Sequence, residues 1–175
     1  MNKKTLSLVQ GALIAAMYAA LFYAQNFIFP GTTSFAVQFR VAELLCILAL
    51  WTPSAIWGLT LGVVLSNLAN IAQLPMDTVF GSVATLLAAI CIWKLRNVRI
   101  KNLPILSLLM PAIFNGILIG LEIEIFFVEG GFHFTDFLLQ GALVAAGEIG
   151  VVLVCGTPLA VLFEKKHIVE KLKLV

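Results

Sequence analysis

The sequence predicts an all-α membrane protein folded as one bundle of six transmembrane helices. Of its 175 residues, 61% are hydrophobic and only 11% are charged, and the mean hydropathy is +1.06. Soluble domains contain about 45–50% apolar residues. The apolar segments are about 20 residues long, enough for an α-helix to cross a membrane, and they lack the alternating pattern of barrel strands. We therefore expect residues 1–175 to form a single transmembrane domain.

The six helices are predicted from the apolar segments and their boundaries. The first covers about residues 6–29; it begins like a signal peptide, but its apolar run is too long and no Ala-x-Ala pair follows it. The second, about 38–52, ends before Pro53 because proline disfavours helix at the preceding residue, and it is short enough to lie tilted or re-entrant. The others are predicted at about 54–72, 77–95, 103–128 and 135–163.

The basic residues predict the orientation of these helices. In a six-span chain, ten of the eleven basic residues fall on one side: Lys3, Lys4, Lys94, Arg96, Arg99, Lys101, Lys165, Lys166, Lys171 and Lys173. Basic residues are enriched in cytoplasmic loops. We therefore expect both termini to be cytoplasmic and Arg40 to lie alone on the outer side, together with most of the acidic residues.

Several polar side chains are predicted to lie within the apolar spans. A charge at the bilayer centre costs at least about 2.5–3.5 kcal/mol, so such residues normally face the bundle interior or a cavity. Helical spacing puts the members of several pairs on one face. These residues predict one outward-open binding pocket lined by Arg40, Glu43, Asn67, Asn70, Asp77, Asn115, Glu122, Gln140 and Glu148.

Other interpretations of these residues stay open. Arg40 and Glu43 could neutralise each other at the headgroup level, the asparagines could join helices by hydrogen bonds, and Asp77 could be a helix cap. Three further acidic residues, Glu124, Glu129 and Asp136, are interpreted as solvated charges at the rim. A carboxylate as deep as Glu148 favours a ligand or a polar network.

The first helix carries a stripe of small residues. Alanine recurs every four residues, with Gly11, Ala15 and Ala19 beside this stripe; its members are Ala12, Ala16, Ala20 and Ala24. Small residues let another helix approach closely. The stripe predicts either packing within the bundle or a docking surface for another membrane protein.

Motifs for catalysis are absent from the sequence. It contains no Walker loop, no His-Glu-x-x-His, no Gly-x-Ser-x-Gly and no histidine or cysteine cluster with metal-binding spacing. The two histidines, His133 and His167, fall in a predicted outer loop and the inner tail. The sequence shows no basic groove interleaved with aromatic residues, so we do not expect nucleic acid as a partner. We expect no enzyme activity, cofactor or metal, and a separate motor or an ion gradient for any transport.

Three stretches of the sequence resemble one known family. VQFRVAELLCIL, TPSAIWGLTLGVVLSNLANI and MDTVFGSVATLLAAICIWKLRN are similar to the QueT family of queuosine-precursor transporters. These are substrate-binding (S) components of energy-coupling-factor (ECF) transporters. The resemblance covers about residues 8 to 163 and includes PAIFNGILIGLEI and GEIGVVLVCGTPL. The family favours an acidic residue after the proline that opens the third helix, where this chain has Ser54.

The resemblance implies a fold, a ligand and partners. A six-helix bundle would bind a 7-deazaguanine or queuine from outside, and its energising module would be a membrane scaffold (T) protein with two ATPases. The first helix would dock through Ala12, Ala16 and Ala20. The matching motifs carry Arg40, Glu43, Asn67, Asp77, Asn115 and Glu148 as candidate ligand contacts.

Two other functions remain open at this point. The chain could be an S component for another vitamin, which binding assays with different ligands would distinguish. It could also be a membrane assembly subunit whose polar residues only join helices. That hypothesis predicts no saturable binding of a small molecule.

Overall fold

A computed structural model of the chain describes residues 2–33, 37–68, 75–165 and 168–171. In these ranges the architecture is helical, with α-helices interrupted by one 3₁₀ helix and one π-helical turn. In chain order the elements are α1 (Lys3–Ile28), the 3₁₀ helix (Val41–Leu50), α2 (Ser54–Leu68), α3 (Pro75–Leu95), α4 (Ile105–Leu108), α5 (Met110–Phe126), α6 (Phe134–Val151), the π turn (Val152–Gly156), α7 (Thr157–Lys165) and α8 (Ile168–Lys171).

Four helical segments are long and apolar enough to cross a membrane. They are Lys3–Ile28, Met76–Leu95, Ile105–Phe126 and Phe134–Lys165. The 3₁₀ helix and α2 are apolar but shorter. The 15 residues of α2 extend about 22 Å at the α-helical rise, and the predicted continuation of this helix over 69–72 lies outside the described residues. The chain is thus a helical membrane protein, whereas the number of crossings and the orientation stay predictions.

The second predicted helix is a 3₁₀ helix rather than an α-helix. It covers Val41–Leu50 within the predicted range 38–52, and most of its residues are buried. At about 2.0 Å per residue, ten residues in this conformation extend about 20 Å. Residues three apart are eclipsed on a 3₁₀ helix, so Arg40, Glu43 and Cys46 form one row along it. This row gives the polar residues their arrangement.

The last two predicted helices are also interrupted. The predicted helix 103–128 contains α4 and α5, which meet at Leu109 just before Pro111. The predicted helix 135–163 is continuous in length but passes through the π turn between α6 and α7. A π turn adds a residue to the helical repeat. It therefore changes the face that α7 presents relative to α6.

Glycines let neighbouring helices cross closely in the bundle. A methyl group added at Gly58 of α2 would lie 2.7 Å from the Gly11 carbonyl oxygen on α1, and one at Gly116 of α5 would lie 2.9 Å from the Gly141 carbonyl oxygen on α6. Such distances leave no room for a side chain. The α1–α2 and α5–α6 pairs therefore depend on these glycines for their backbone approach.

The end of the bundle that holds the α3–α4 connection and α7 is closed by aromatic and charged contacts, and we call it the basic end. Trp51 stacks on Phe163 with ring centroids 5.5 Å apart. Arg96 lies over the ring of Trp93 at 3.8 Å. Beside them, Arg99 pairs with Glu164; the Nη2–Oε1 distance is 2.9 Å. The residues of the basic end are thus Trp51, Trp93, Arg96, Arg99, Phe163 and Glu164.

Candidate functional site

The 3₁₀ helix carries a buried glutamate into the bundle. Glu43 is 1% exposed. Its Oε1 accepts a hydrogen bond from the Tyr18 hydroxyl of α1 at 2.6 Å, and its Oε2 accepts one from the Cys46 thiol at 3.0 Å. The second contact follows from the eclipsed i, i+3 geometry of the 3₁₀ helix. Both oxygens of Glu43 are therefore held in fixed positions by neutral donors.

Arg40 is buried at the N-terminal end of the same helix and has no ion-pair partner among the described residues. It is 9% exposed, and its Nε atom is buried with no hydrogen-bond partner in the described part of the chain. Glu43, three residues later, forms no ion pair with it, so the interpretation of these two charges as a self-neutralising headgroup pair is wrong. A buried guanidinium normally has a hydrogen-bonded partner. Because Arg40 Nε has no such partner among the described residues, it can still donate a hydrogen bond to another molecule.

The α5–α6 pair contributes a second buried carboxylate. Glu148 is 1% exposed, and the amide nitrogen of Asn115 donates to both of its oxygens, at 2.8 and 3.0 Å. The neighbouring Gly147 lies against the backbone of Gln38, with no room for a Cβ atom. This close approach brings α6 beside the segment that leads into the 3₁₀ helix. Glu148 consequently lies within electrostatic range of Arg40 and Glu43.

The start of α3 brings two further polar groups to α2 and α5. The Asn67 amide nitrogen donates to the Asp77 carbonyl oxygen at 2.9 Å, and the Asp77 and Glu122 carboxyl groups lie within electrostatic range of each other. Glycine at position 81 keeps the next turn of α3 open. A methyl group added there would lie 3.3 Å from Asn67 Nδ2 and 4.0 Å from Arg40 Nη1.

These contacts join into one buried polar cluster. Through Arg40, which lies within electrostatic range of Tyr18, Glu122 and Glu148, the separate pairs meet between six elements of the bundle. The members of the polar cluster are Tyr18, Arg40, Glu43, Cys46, Asn67, Asp77, Asn115, Glu122 and Glu148. Of the sequence-predicted site residues, Gln140 is half-buried and has no hydrogen bond to the cluster, and Asn70 lies outside the described residues.

Polar atoms without partners are concentrated in and beside the polar cluster. Within the described ranges they include Arg40 Nε, Asn115 Oδ1 and Glu122 Oε1, together with the hydroxyl of Thr85. Thr85 is 0% exposed and lies on α3, four residues after Gly81 and so on the same helical face. Each unpaired buried polar group costs about 1–3 kcal/mol. The site therefore offers both a donor and several acceptors.

Sequence reasoning missed several residues around the polar cluster. Tyr18 and Thr85 look like ordinary residues of apolar helices, and Gly81 and Gly147 look like ordinary helical glycines. The interpretation of Glu124 as a solvated rim charge is wrong, because its side chain is buried and accepts a hydrogen bond from the His133 backbone nitrogen at 2.7 Å. The feature of the sequence that could have indicated this burial is the position of Glu124 two residues after Glu122, in the last turn of an apolar helix.

Comparison with known proteins identifies the family. The family model described as QueT transporter matches residues 8–165. The chain belongs to the QueT transporter family. The match covers most of the chain, including the 3₁₀ helix and every residue of the polar cluster, and it confirms the resemblance found in the sequence motifs. No curated protein and no solved structure matches the chain.

Membership of the QueT family gives the polar cluster its functional setting. A member of a transporter family with four helices long enough to span a membrane is a membrane transporter component. At the level of the family this is a transporter rather than an enzyme. A transporter moves a small molecule, and the polar cluster holds several of the unpaired buried polar atoms in the described part of the chain.

Proposed function

We propose that the chain is the substrate-binding S component of an ATP-driven ECF importer and that it captures a queuosine precursor, a 7-deazaguanine or queuine, from outside the cell. The observation that carries the proposal is the buried guanidinium of Arg40, which has no ion pair within the described ranges and lies among carboxylates and amides with free acceptor oxygens. Buried polar groups without partners lower the stability of the free protein, and a ligand that pairs with them would remove this cost.

The chemistry of a 7-deazaguanine complements this inventory of unpaired atoms. Its pyrimidine edge and amino group are N–H donors, which suit Asn115 Oδ1 and Glu122 Oε1. Its single carbonyl oxygen would accept from Arg40. An aminomethyl substituent carries a positive charge, and the polar cluster has four acidic side chains against one basic one: Glu43, Asp77, Glu122 and Glu148 against Arg40. A ligand lacking these donors would leave buried acceptors unpaired, which penalises it strongly.

The partners and the topology are part of the same proposal. We place both termini in the cytoplasm of a six-crossing, single-domain chain in the cell membrane, with the polar cluster toward the outside. The partners would be a membrane T protein and two ATPases. Ala12, Ala16 and Ala20 on α1 are exposed on the isolated chain, whereas Gly11 and Ala15 beside them are buried against α2. The alanine face is thus available to a docking protein.

Calorimetry with the purified full-length chain in detergent tests ligand capture. We expect saturable, one-to-one binding of 7-aminomethyl-7-deazaguanine or queuine and much weaker binding of guanine, riboflavin and biotin. Selective binding of riboflavin or biotin would instead support an S component for another vitamin. The absence of saturable binding for every compound would support the assembly-subunit hypothesis and overturn the proposal.

Substitution of Ala16 tests the docking part of the proposal. Ala16→Leu adds bulk to the exposed face of α1 and should abolish uptake in cells while leaving ligand affinity in detergent unchanged. The matched control is Ala142→Leu, which adds the same bulk to an exposed alanine on α6 and should leave uptake intact. Equal uptake by both variants would exclude this face as the docking surface.

A further inference from the structure

Glu124 is a buried carboxylate that the polar cluster does not use. It lies in the last turn of α5, two residues after Glu122, and is 1% exposed. Glu122 lies within electrostatic range of Asp77 on α3, whereas Glu124 turns toward the start of α6, where its Oε1 accepts from the His133 backbone nitrogen at 2.7 Å. Its Oε2 is buried and has no hydrogen-bond partner in the part of the chain that the structure describes. A buried carboxylate oxygen in this state needs a positive group.

Two further metal-ligating side chains face this carboxylate. His133 is the residue that precedes α6, and its Nδ1 lies 3.8 Å from Glu124 Oε1. Asp136 is in the first turn of α6. One donor atom from each of Glu124, His133 and Asp136 lies within 4.8 Å of the others. Among the described residues, neither a lysine nor an arginine pairs with Glu124.

We propose that Glu124, His133 and Asp136 form a binding site for a divalent transition-metal cation of the zinc class. One imidazole nitrogen and two carboxylate oxygens are ligands that Zn²⁺ and its neighbours accept, and the imidazole disfavours Mg²⁺ and Ca²⁺, which prefer oxygen ligands alone. The two negative charges match a divalent cation. Three protein ligands leave a fourth coordination position for water.

The burial of the three groups fits a site with one fixed ligand and two adjustable ones. Zinc ligands lie about 2.0–2.2 Å from the metal, so the donor atoms must move closer together than they are without it. The His133 side chain is 52% exposed, and Asp136 is half-buried, so both can change rotamer. Glu124 is held by its burial and by the His133 backbone nitrogen, which fixes where the metal would bind.

Metal binding would fasten the connection between α5 and α6. That connection contains Gly130 and Gly131, whose φ angles of +105° and +94° suit glycine and few other residues. The three proposed ligands come from both ends of it. A bound cation would therefore tie the last turn of α5, the helix that also carries Asn115 and Glu122, to the first turn of α6.

Zinc and cobalt binding to the tag-free full-length chain in detergent tests the site. After treatment with EDTA, titration calorimetry with ZnCl₂ should show one stoichiometric site, and Co²⁺ should give visible absorption bands that Zn²⁺ removes. His133→Gln and Asp136→Asn should each weaken zinc affinity at least about tenfold. Both side chains are partly exposed, so these variants should keep the melting temperature of the unsubstituted protein in the absence of metal.

Two control variants separate this site from other zinc-binding groups. Glu129→Gln removes an exposed carboxylate of the same connection, and His167→Gln removes the other histidine of the sequence. Both should bind zinc with unchanged affinity. The proposal is overturned if the unsubstituted chain binds no zinc, or if His133→Gln and Asp136→Asn bind it as tightly as the controls do.

Discussion

The polar cluster and the basic end treat their charges in opposite ways. At the basic end, Arg99 and Glu164 are about one-third exposed and pair directly at 2.9 Å, and Arg96 lies on a tryptophan ring. In the polar cluster, Arg40 is buried and forms no ion pair with any described residue. The first arrangement closes the bundle at little cost. The second leaves buried polar groups unpaired. This lowers stability but keeps the groups free to bind a ligand, which is the pattern expected of a binding site.

The largest effect should come from removing the unpaired cation of the polar cluster. Arg40→Met keeps a long side chain but removes the donors, and we expect it to weaken binding of 7-aminomethyl-7-deazaguanine about 100-fold, or about 2.7 kcal/mol. Calorimetry measures the affinity. Arg99→Met at the basic end is the matched control and should bind normally; an Arg40→Met affinity within threefold of it would contradict the assignment of Arg40.

A smaller effect should follow from crowding the contact that positions α6. In Gly147→Ala, the new methyl group meets the Gln38 carbonyl oxygen. Overpacking costs about 1–3 kcal/mol and the gain in helix propensity returns about 1 kcal/mol, so we expect a net loss of up to about 2 kcal/mol. Thermal unfolding in detergent measures it. Gly150→Ala, with no atom within 4 Å of its new methyl group, should instead be neutral or stabilising.

Thr85 offers a change of opposite sign. Its buried hydroxyl has no hydrogen-bond partner within the described structure, so Thr85→Val replaces it with a methyl group of similar size and should stabilise the free protein by about 1 kcal/mol. The melting temperature in detergent reports this gain. Thr60→Val is the matched control, because the Thr60 hydroxyl already donates to the Ile56 carbonyl oxygen at 2.8 Å. An equal gain in Thr60→Val would show that the gain in Thr85→Val does not come from removing an unpaired hydroxyl.

The smallest effect is expected at the basic end. The Arg99–Glu164 pair is partly exposed, and pairs of this kind contribute about 0.2–1 kcal/mol. Glu164→Gln should therefore lower the free energy of unfolding by less than about 0.5 kcal/mol, and the effect should shrink further in high salt. Equilibrium unfolding at two salt concentrations measures both. A loss of several kcal/mol would contradict the interpretation of Arg99–Glu164 as a weak, partly exposed ion pair.

Local patterns predicted the helical segments well and their conformations poorly. The predicted range 38–52 contains a real helix, but its 3₁₀ conformation was not foreseen, because one apolar run of ten residues suits either kind of helix. The same holds for the π turn, which interrupts the last predicted helix at Val152–Gly156. Backbone variants of this kind are selected by packing against neighbouring helices, which a single sequence does not display.

The site residues, too, could be predicted only in part from the sequence. Charged and amide side chains inside apolar spans are conspicuous, so Arg40, Glu43 and Glu148 could be found without a structure. Thr85 and Tyr18 are common residues in membrane helices, and only their neighbours make them notable. Glu124 was placed at the rim because its sequence position is near the end of a helix, whereas its burial depends on how the α5–α6 connection folds back over it.

By itself, the sequence determined that this protein belongs in a membrane and where its helices run, because hydropathy and helix length are sums over neighbouring residues. The tertiary structure alone decided which side chains meet: that Asn115 donates to Glu148, that Glu43 is held by Tyr18 and Cys46, and that Arg40 has no ion pair among the described residues. Those relations join residues up to 33 positions apart. They depend on glycine contacts between helices that set the distance and rotation of each helix against the next.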